Sequence, residues 1–328
     1  MMKKYKIVFT FLKKYKFGLL CYFFVRYITR IILNIYLLNV FYLKFIGSLY
    51  NGKNASTNQI MLLFICYIFI KNSDFFVNIL ADKLEYDTLT NISKHLKKYY
   101  INKLLKQDIE FFMENNTSFL KEKIKSLSNS VTDIVLNVFS IVYSILSVIV
   151  VYLFLFRVSF LLFCIAFLTT LIYAFFVFYS KHGIISFYND IRDKRENVDK
   201  NLTDMLNNVM NIKIFSTENY EISKLKNENS EVENCKKVQR FFLLKCEIKE
   251  FVITTIIVIG IFSILLNVLA SEKIDVNTML FCINNYLSII VNIKILSKEI
   301  FKCIETTDNI KSSLKIFDSI PRTLNKSN

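Results

Sequence analysis

Residues 131–179 read VTDIVLNVFSIVYSILSVIVVYLFL, FR, VSFLLFCIAFLTTLIYAFFVFY: two apolar runs separated only by Phe156–Arg157. Each run has the ~20 residues that a helix needs to cross the ~30 Å hydrocarbon core of a bilayer. A connection this short makes two such helices antiparallel neighbours. The stretch therefore predicts a transmembrane helical hairpin.

Two further hairpins flank this one. Four more apolar runs of similar length occupy Phe17–Ile46, Gln59–Leu80, Phe251–Ala270 and Val276–Ile295, and their short connections are Gly47–Asn58 and Ser271–Asp275. Between hairpins lie long polar stretches, residues 82–130 and 181–250, which we call the first arm and the second arm. The sequence predicts a six-span domain over residues 17–320, with both arms on one side of the membrane.

Composition supports an all-α integral membrane protein. Hydrophobic residues make up 53% of the 328 residues, and the mean hydropathy is +0.38, which is too apolar for a soluble domain of this size. Five Gly and one Pro leave few turn signals, and no ten-residue alternating pattern of a transmembrane barrel is seen. Two His and seven scattered Cys predict no metal site and no cofactor in this chain.

The lysines indicate the orientation. The net charge is +15, and several Lys precede the first span, whereas each short connection holds one basic residue: Lys53, Arg157 or Lys273. By the positive-inside rule, the N-terminus, the arms and the C-terminus are cytoplasmic or on the matrix side of an organelle. Residues 1–16 are predicted as an interfacial helix, and the charge predicts no nucleic-acid binding.

Each arm carries a helical apolar pattern that is broken at its middle. In the first arm Leu96, Tyr100 and Leu104 recur at helical spacing before a polar break at Asn115–Ser118. The second arm has a similar series from Leu202 to Phe215. Both arms are predicted to be a helix, a short transverse segment and a returning helix, with transverse segments at Asp108–Asn116 and Leu206–Phe215.

At these residues the chain resembles the transmembrane half of a type I (exporter-type) ABC transporter, of the B-subfamily kind. The family pattern L-x-x-D-x-x-F-F stands here as Leu105, Asp108, Phe111 and Phe112, and I-K-x-F-x-x-E stands as Ile212, Lys213, Phe215 and Glu218. Ser118 occupies a position where the family usually has Gly. The run Asp308–Pro321 is similar to the family's exit from the sixth span.

The resemblance implies that the arms transmit force from an ATP-driven motor domain. The motor-coupling residues are then Asp108, Phe111, Phe112, Asn116, Ser118, Leu206, Asn211, Lys213, Phe215 and Glu218. Phe111 and Phe112 are candidates for the buried anchor of that contact. The alternative is that both rings only pack the arm helices together.

A finer similarity concerns the mitochondrial half-transporters that serve cytosolic iron–sulfur assembly. Their pattern D-x-L-x-N…V-K-x-F-x-x-E-x-Y-E is matched by Asp204, Leu206, Asn208 and the residues from Lys213 to Glu221. The Asn and Gln with which that group contacts glutathione-like substrates fall on Cys246 and Lys249 here. The membrane is accordingly expected to be the plasma membrane or that of a mitochondrion-derived organelle.

Polar residues inside the spans are candidates for a substrate path, because such residues are costly in lipid. Arg26, Arg30 and Asn34 share one helix face, and Asp74 in the second span is a possible partner for either arginine. Asn284 and Asn285 lie in the sixth span. One hypothesis is a polar cavity for anionic substrates; the alternatives are a structural ion pair and a snorkelling Arg26.

The chain contains no catalytic motif. Gly47–Asn54 has the Gly and Lys spacing of a phosphate-binding loop but lacks its Ser/Thr and follows a span, so it is interpreted as a hairpin turn. Residues 321–328 are expected to begin a linker without a nucleotide-binding domain. ATPase activity is therefore expected only with a nucleotide-binding domain in trans, which would carry ATP and Mg²⁺.

Three functions remain on the sequence alone. The leading hypothesis is the transmembrane subunit of an ABC exporter, acting as a homodimer or heterodimer. The second is a truncated or degenerate half-transporter paralogue with a regulatory role or no transport role. The third, a channel or ion-coupled carrier, gives the long arms no purpose and lacks the broken helices of such carriers.

Overall fold

The computed structural model describes residues 12–37, 57–114, 117–270 and 276–318, and within them the fold is all-helical, as predicted. We number the helices α1 (Lys16–Phe23), α2 (Thr57–Leu104), α3 (Ile109–Glu114), α4 (Thr117–Val158), α5 (Phe160–Lys181), α6 (Ile184–Asn207), α7 (Val209–Ile214), α8 (Glu218–Ala270) and α9 (Val276–Asp318). After α1 the first span continues as π-helical segments at Phe24–Ile28 and Ile31–Leu37.

Five helical stretches in the described ranges are long and apolar enough to cross a membrane. They are Met61–Leu104, Leu120–Arg157, Phe160–Asn207, Glu218–Ala270 and Thr278–Leu314. These stretches overlap five of the six predicted spans, to within two residues at their starts. The first predicted span is described only as far as Leu37, and most of the predicted interfacial helix lies outside the described residues.

Helix α9 is the centre of the transmembrane region. Half of its apolar window is buried inside the protein, whereas none of the window of α2 is. Phe281 and Ile289 of α9 are fully buried, and the Phe281 ring lies 6.1 Å from the Phe154 ring of α4. The other spans therefore leave larger apolar faces for lipid, and α9 is the span with the most contact with protein.

Hydroxyl pairs join the spans within this apolar core. The hydroxyls of Tyr152 on α4 and Thr170 on α5 are hydrogen-bonded to each other. The hydroxyl of Tyr286 on α9 donates to Thr169 on α5 at 3.1 Å. Lipid provides no strong hydrophobic force between helices, so close packing and hydrogen bonds of this kind hold them in register.

The first arm consists of the outer part of α2, helix α3 and the beginning of α4. Its core is formed by buried residues that include Ile92, Leu96 and Leu127, and the hydroxyls of Ser93 and Ser128 lie 2.7 Å apart. The apolar residues that predicted this arm from their helical spacing do form its interior.

The second arm consists of α6, α7 and the beginning of α8. A smaller cluster of Ile191, Val198 and Val232 joins its two long helices. Between the arms, Nζ of Lys123 lies 2.8 Å from the Glu196 carboxylate. The two arms therefore contact each other outside the membrane.

Helix α1 approaches α2 closely at Gly18. A Cβ on residue 18 would lie 2.6 Å from Cγ2 of Thr88. The Thr88 hydroxyl donates to the carbonyl oxygens of Leu84 at 2.6 Å and Glu85 at 3.2 Å, which fixes its side chain. Residue 18 must therefore lack a side chain for the two helices to pack as they do.

We predict that Gly18→Ala destabilises the protein. The added methyl group overpacks the α1–α2 contact, a change that typically costs about 1–3 kcal/mol and exceeds the gain in helix propensity. The expected result is a lower thermal unfolding midpoint of the purified chain in detergent. Adding Thr88→Ser, which removes Cγ2 but keeps the hydroxyl, is expected to restore it.

Gly260→Ala is the matched control. Gly260 lies about three turns before the end of α8, and a Cβ there would have no neighbour within 4 Å. The thermal unfolding midpoint of this variant is expected to be unchanged or higher, because Ala favours the helix over Gly by up to about 1 kcal/mol. Equal effects of the two substitutions would contradict a steric role for Gly18.

Candidate functional site

The tip of the first arm carries a short helix where a transverse segment was predicted. Helix α2 ends at Leu104, and α3 occupies Ile109–Glu114, inside the predicted segment Asp108–Asn116. Asp108 is exposed immediately before α3. Asn116 lies outside the described residues, and the structure does not describe the side chain of Ser118.

Phe111 and Phe112 lie edge to face, with their ring centroids 5.5 Å apart. Both are half-buried and pack against the core of the first arm. Leu105 and Ile109, by contrast, are about three-quarters exposed. The rings therefore pack the arm helices, and the two aliphatic side chains form the apolar outer surface of this tip.

The tip of the second arm carries α7, again inside its predicted transverse segment Leu206–Phe215. Its apolar residues point outwards: Leu206, Met210, Ile214 and Phe215 are between 61% and 74% exposed. Such a patch at the end of a helical arm has no role in the arm's own core. Exposed apolar clusters of this kind mark interaction surfaces.

A Schellman turn ends α7. Ser216 has φ 50°, which lies in the left-handed region, and it follows the last residues of the helix. The N–H of Ser216 donates to the Lys213 carbonyl at 3.3 Å, and the N–H of Thr217 donates to the Ile212 carbonyl at 3.1 Å. Gly is the usual residue at this position, so Ser216 is not recognisable as a turn residue from the sequence.

Lys213 and Glu218 form a salt bridge across this turn. Nζ of Lys213 donates to Oε1 of Glu218 at 3.0 Å, and this hydrogen bond lowers the pKa of the Glu218 carboxyl. Glu218 is also the first residue of α8, where a negative charge favours the helix dipole. The pair connects the end of α7 to the start of α8. Asn211, another predicted coupling residue, is exposed on α7.

The arginines of the first span face acidic residues of α2. Arg26 forms a salt bridge with Asp82, and Nε of Arg30 lies 3.9 Å from the Asp74 carboxylate. One turn earlier, the hydroxyl of Tyr22 donates to Glu85 at 2.8 Å. These contacts form a ladder between two antiparallel helices, which corresponds to the ion-pair alternative.

The remaining predicted path residues separate. Asn284 and Asn285 are adjacent in α9 but face opposite ways: Asn284 is exposed, whereas Asn285 is buried and its amide donates to the Phe281 carbonyl at 2.9 Å. Only Asn284 lies on the open face of α9, with Leu287 and Val291. The side chain of Asn34 is not among those that the structure describes.

The pair of Glu250 and Lys294 was not predicted from the sequence. Glu250 at the membrane end of the second arm is only 1% exposed, and its carboxylate lies 3.8 Å from Nζ of Lys294 on α9. Lys294 keeps about half of its side chain exposed on the face that also carries Asn284. Its position inside the predicted sixth span was the available signal, because ionisable residues in spans are usually functional or paired.

Comparison with known proteins agrees with this architecture. A family model described as the ABC transporter transmembrane region matches residues 19–292. A solved structure of a bacterial Atm1-family ABC exporter with ATP bound is similar, with a TM-score of 0.77 and 14% sequence identity over 97% of this chain. The match covers 55% of that exporter's chain, so this chain spans about half of its length. No curated protein matches.

We predict that Ser216→Gly stabilises the tip of the second arm. Gly adopts the left-handed conformation without a Cβ penalty, and a compatible substitution of this type is worth about 1 kcal/mol. The expected result is slower amide hydrogen exchange in residues 209–220. Thr217→Gly, one position later, is the control and is expected to speed exchange; slower exchange in both variants would contradict the prediction.

A second prediction concerns the pair of Arg30 and Asp74. Arg30→Gln or Asp74→Asn removes the attraction between these two charges within the first hairpin, at an expected cost of up to about 3 kcal/mol. The double variant is expected to lose clearly less stability than the sum of the two single losses. The free energy of unfolding of the reconstituted chain, measured for all four proteins, gives the coupling energy between Arg30 and Asp74.

The control cycle uses Arg192 and Asp193. This pair is exposed on the second arm, with 2.9 Å between its charged atoms, so water already solvates both charges. Its coupling is expected to be below about 1 kcal/mol. A coupling for Arg30 and Asp74 as small as this would show that the ladder does not hold the hairpin.

Proposed function

Because the chain belongs to the family of ABC transporter transmembrane regions, we propose that it is the membrane subunit of an ATP-driven exporter. It would form the substrate path as a dimer and couple to a nucleotide-binding domain through its two arms. The observation that carries this proposal is the pair of short helices α3 and α7 at the arm tips. Both lie on the side of the membrane that the lysines mark as cytoplasmic or matrix.

The surface of the tips supports a protein contact there. Leu105 and Ile109 on the first arm, and Met210, Ile214 and Phe215 on the second, expose apolar area that the arms do not use. A nucleotide-binding domain that covers these side chains would bury them when it docks. Its ATP-driven closure would then move the arms and, through them, the spans.

ATP and Mg²⁺ would be held by the nucleotide-binding domain. The contribution of this chain is mechanical: the rigid long helices α4 and α8 run without a break from the arms into the membrane. A displacement at a tip is therefore transmitted to the spans along continuous hydrogen-bonded helices.

The open face of α9 is the best candidate for the wall of the substrate path. It presents a helical stripe of partly exposed residues: Asn284, Leu287, Val291 and Lys294. We propose that a second copy, or a related chain, faces this stripe across the path. Arg26 and Arg30 are balanced by carboxylates, so an anionic substrate would meet Lys294 rather than a cationic cavity at the first span.

Two finer assignments are part of the proposal. The similarity of residues 204–221 to the mitochondrial iron–sulfur-related half-transporters supports the first assignment, to that group of the B subfamily. The membrane would then be the plasma membrane or that of a mitochondrion-derived organelle. Fluorescent tagging of the chain, viewed with markers for each membrane, tests the location.

The coupling proposal predicts a loss of activity from charges at the tip of the second arm. With a nucleotide-binding domain co-reconstituted in liposomes, Met210→Glu together with Ile214→Glu is expected to lower ATPase activity at least tenfold. The reason is that burying either carboxylate in a protein contact costs several kcal/mol. Affinity of the soluble nucleotide-binding domain for the liposomes is expected to fall in parallel.

Val238→Glu is the matched control. Val238 is 56% exposed on the same arm, on α8 and away from the tip, so the same charge there is expected to leave binding and ATPase activity unchanged. Equal losses in both variants would argue against docking at the tip. Binding without ATPase stimulation in the unmodified chain would support the regulatory alternative instead.

A further inference from the structure

A cavity lies between the helices of the first arm. Its volume is about 390 Å³, and it is bounded by the outer part of α2, the first turns of α4 and Phe112 of α3. This volume falls within the range of small-molecule sites in proteins. The cavity is outside the membrane-spanning region and close to the tip, but it is separate from the exposed residues Leu105 and Ile109.

The wall of the cavity is apolar. Ile101 and Leu104 contribute from α2, and Leu120 and Ile124 from α4; the last three are at least nine-tenths buried. Phe112 covers the end nearest to the tip. An apolar chain or ring entering this space would replace water against five hydrocarbon side chains, at roughly 25 cal/mol for each Å² removed from water.

Three lysines also line the cavity: Lys97, Lys121 and Lys125. Among the lining residues whose side chains the structure describes, none is acidic. Within the part of the chain that the structure describes, no salt bridge joins these lysines to a carboxylate. Three like charges around one apolar space repel one another, so a bound anion would relieve the repulsion.

The charged and apolar ends are ordered along the arm. Helix α2 leaves the membrane and α4 returns to it, so Lys97 and Lys125 lie towards the membrane, whereas Leu104 and Phe112 lie towards the tip. Lys121 lies between these two ends, about one helical turn nearer to the tip than Lys125. From Lys97 to Leu104 the helix rises ~10 Å. The cavity therefore offers a positive end and an apolar end at a separation that suits a short amphiphile.

We propose that this cavity binds a single-chain anionic amphiphile of the fatty-acid class. Its carboxylate would lie between Lys97 and Lys125, and its acyl chain would extend along Ile101 and Leu104 to the ring of Phe112. A two-chain lipid exceeds the volume, and an uncharged chain would leave the lysines uncompensated.

Such a ligand would act on the arm tip. Phe112 belongs to α3, so an acyl chain against its ring fixes the position of the helix that the proposed function assigns to motor contact. Only this effect on coupling rests on the proposed function. Binding itself depends on the cavity and its lysines alone.

The absence of Trp from the sequence allows a direct test. Thr117 is exposed and lines the cavity, so Thr117→Trp places a single fluorophore there. The variant chain, in nanodiscs of zwitterionic lipid, is titrated with undecanoate that carries bromine at the end of its chain. Bromine quenches a Trp that it contacts, and saturable quenching is expected.

The lysines supply the specificity control. Lys97→Gln together with Lys125→Gln, in the same reporter chain, is expected to weaken binding at least tenfold, because two charge-assisted contacts are lost. Lys94→Gln together with Lys98→Gln removes the same charge from exposed positions outside the cavity and is expected to change nothing. Brominated undecanol lacks the carboxylate. Its affinity for the reporter chain with all its lysines is expected to be as low as the affinity of brominated undecanoate for the Lys97→Gln, Lys125→Gln variant.

Two results would overturn the proposal. One is quenching that does not saturate, or that is equal for undecanoate and undecanol and equal in both double lysine variants. Either outcome indicates unspecific partitioning into the lipid. The other is a titration of decanoate into the unmodified chain whose heat does not exceed that of empty nanodiscs. Both assays use the chain without a nucleotide-binding domain, so their outcome is independent of the ATPase experiment.

Discussion

Hydrocarbon offers no hydrogen-bond partner to a backbone N–H or C=O group, and this constraint shapes the whole chain. Each span must satisfy its backbone internally, which makes it a helix. The helices do not stop at the membrane surface: α2, α4, α8 and α9 continue well beyond the apolar runs. The same backbone hydrogen bonding that permits the spans therefore also builds the arms.

Inside the membrane, burial of apolar side chains cannot hold helices together, because lipid is as apolar as a protein core. The structure instead uses close contacts and paired polar groups. Tyr286 donates to Thr169, and Arg30 faces Asp74. Each of these contacts fixes the register of two helices.

Outside the membrane the usual hydrophobic effect applies again. In the first arm, Leu96 of α2 and Leu127 of α4 are buried between the two helices. Near its tip, however, the arm has a cavity and two exposed aliphatic residues. The second arm similarly leaves the apolar face of α7 in water. Each arm thus has a packed apolar interior and a tip with exposed apolar side chains, as expected of an element that binds a partner.

The sequence by itself determined the helical class, the apolar spans, the basic side of the membrane and the positions of both short tip helices. These features follow from residues close together in the chain: the length of apolar runs, the placement of Lys, and polar breaks such as Asn115–Ser118. The resemblance of the arms also pointed to Lys213 and Glu218, which the structure joins in a salt bridge.

Only the tertiary structure decided which partners meet. It placed Asp82 against Arg26, buried Asn285 while exposing Asn284, joined Glu250 to Lys294 and left three lysines around one apolar cavity. Such contacts depend on the rotation and packing of helices that are far apart in sequence, and helical spacing within one segment does not fix these.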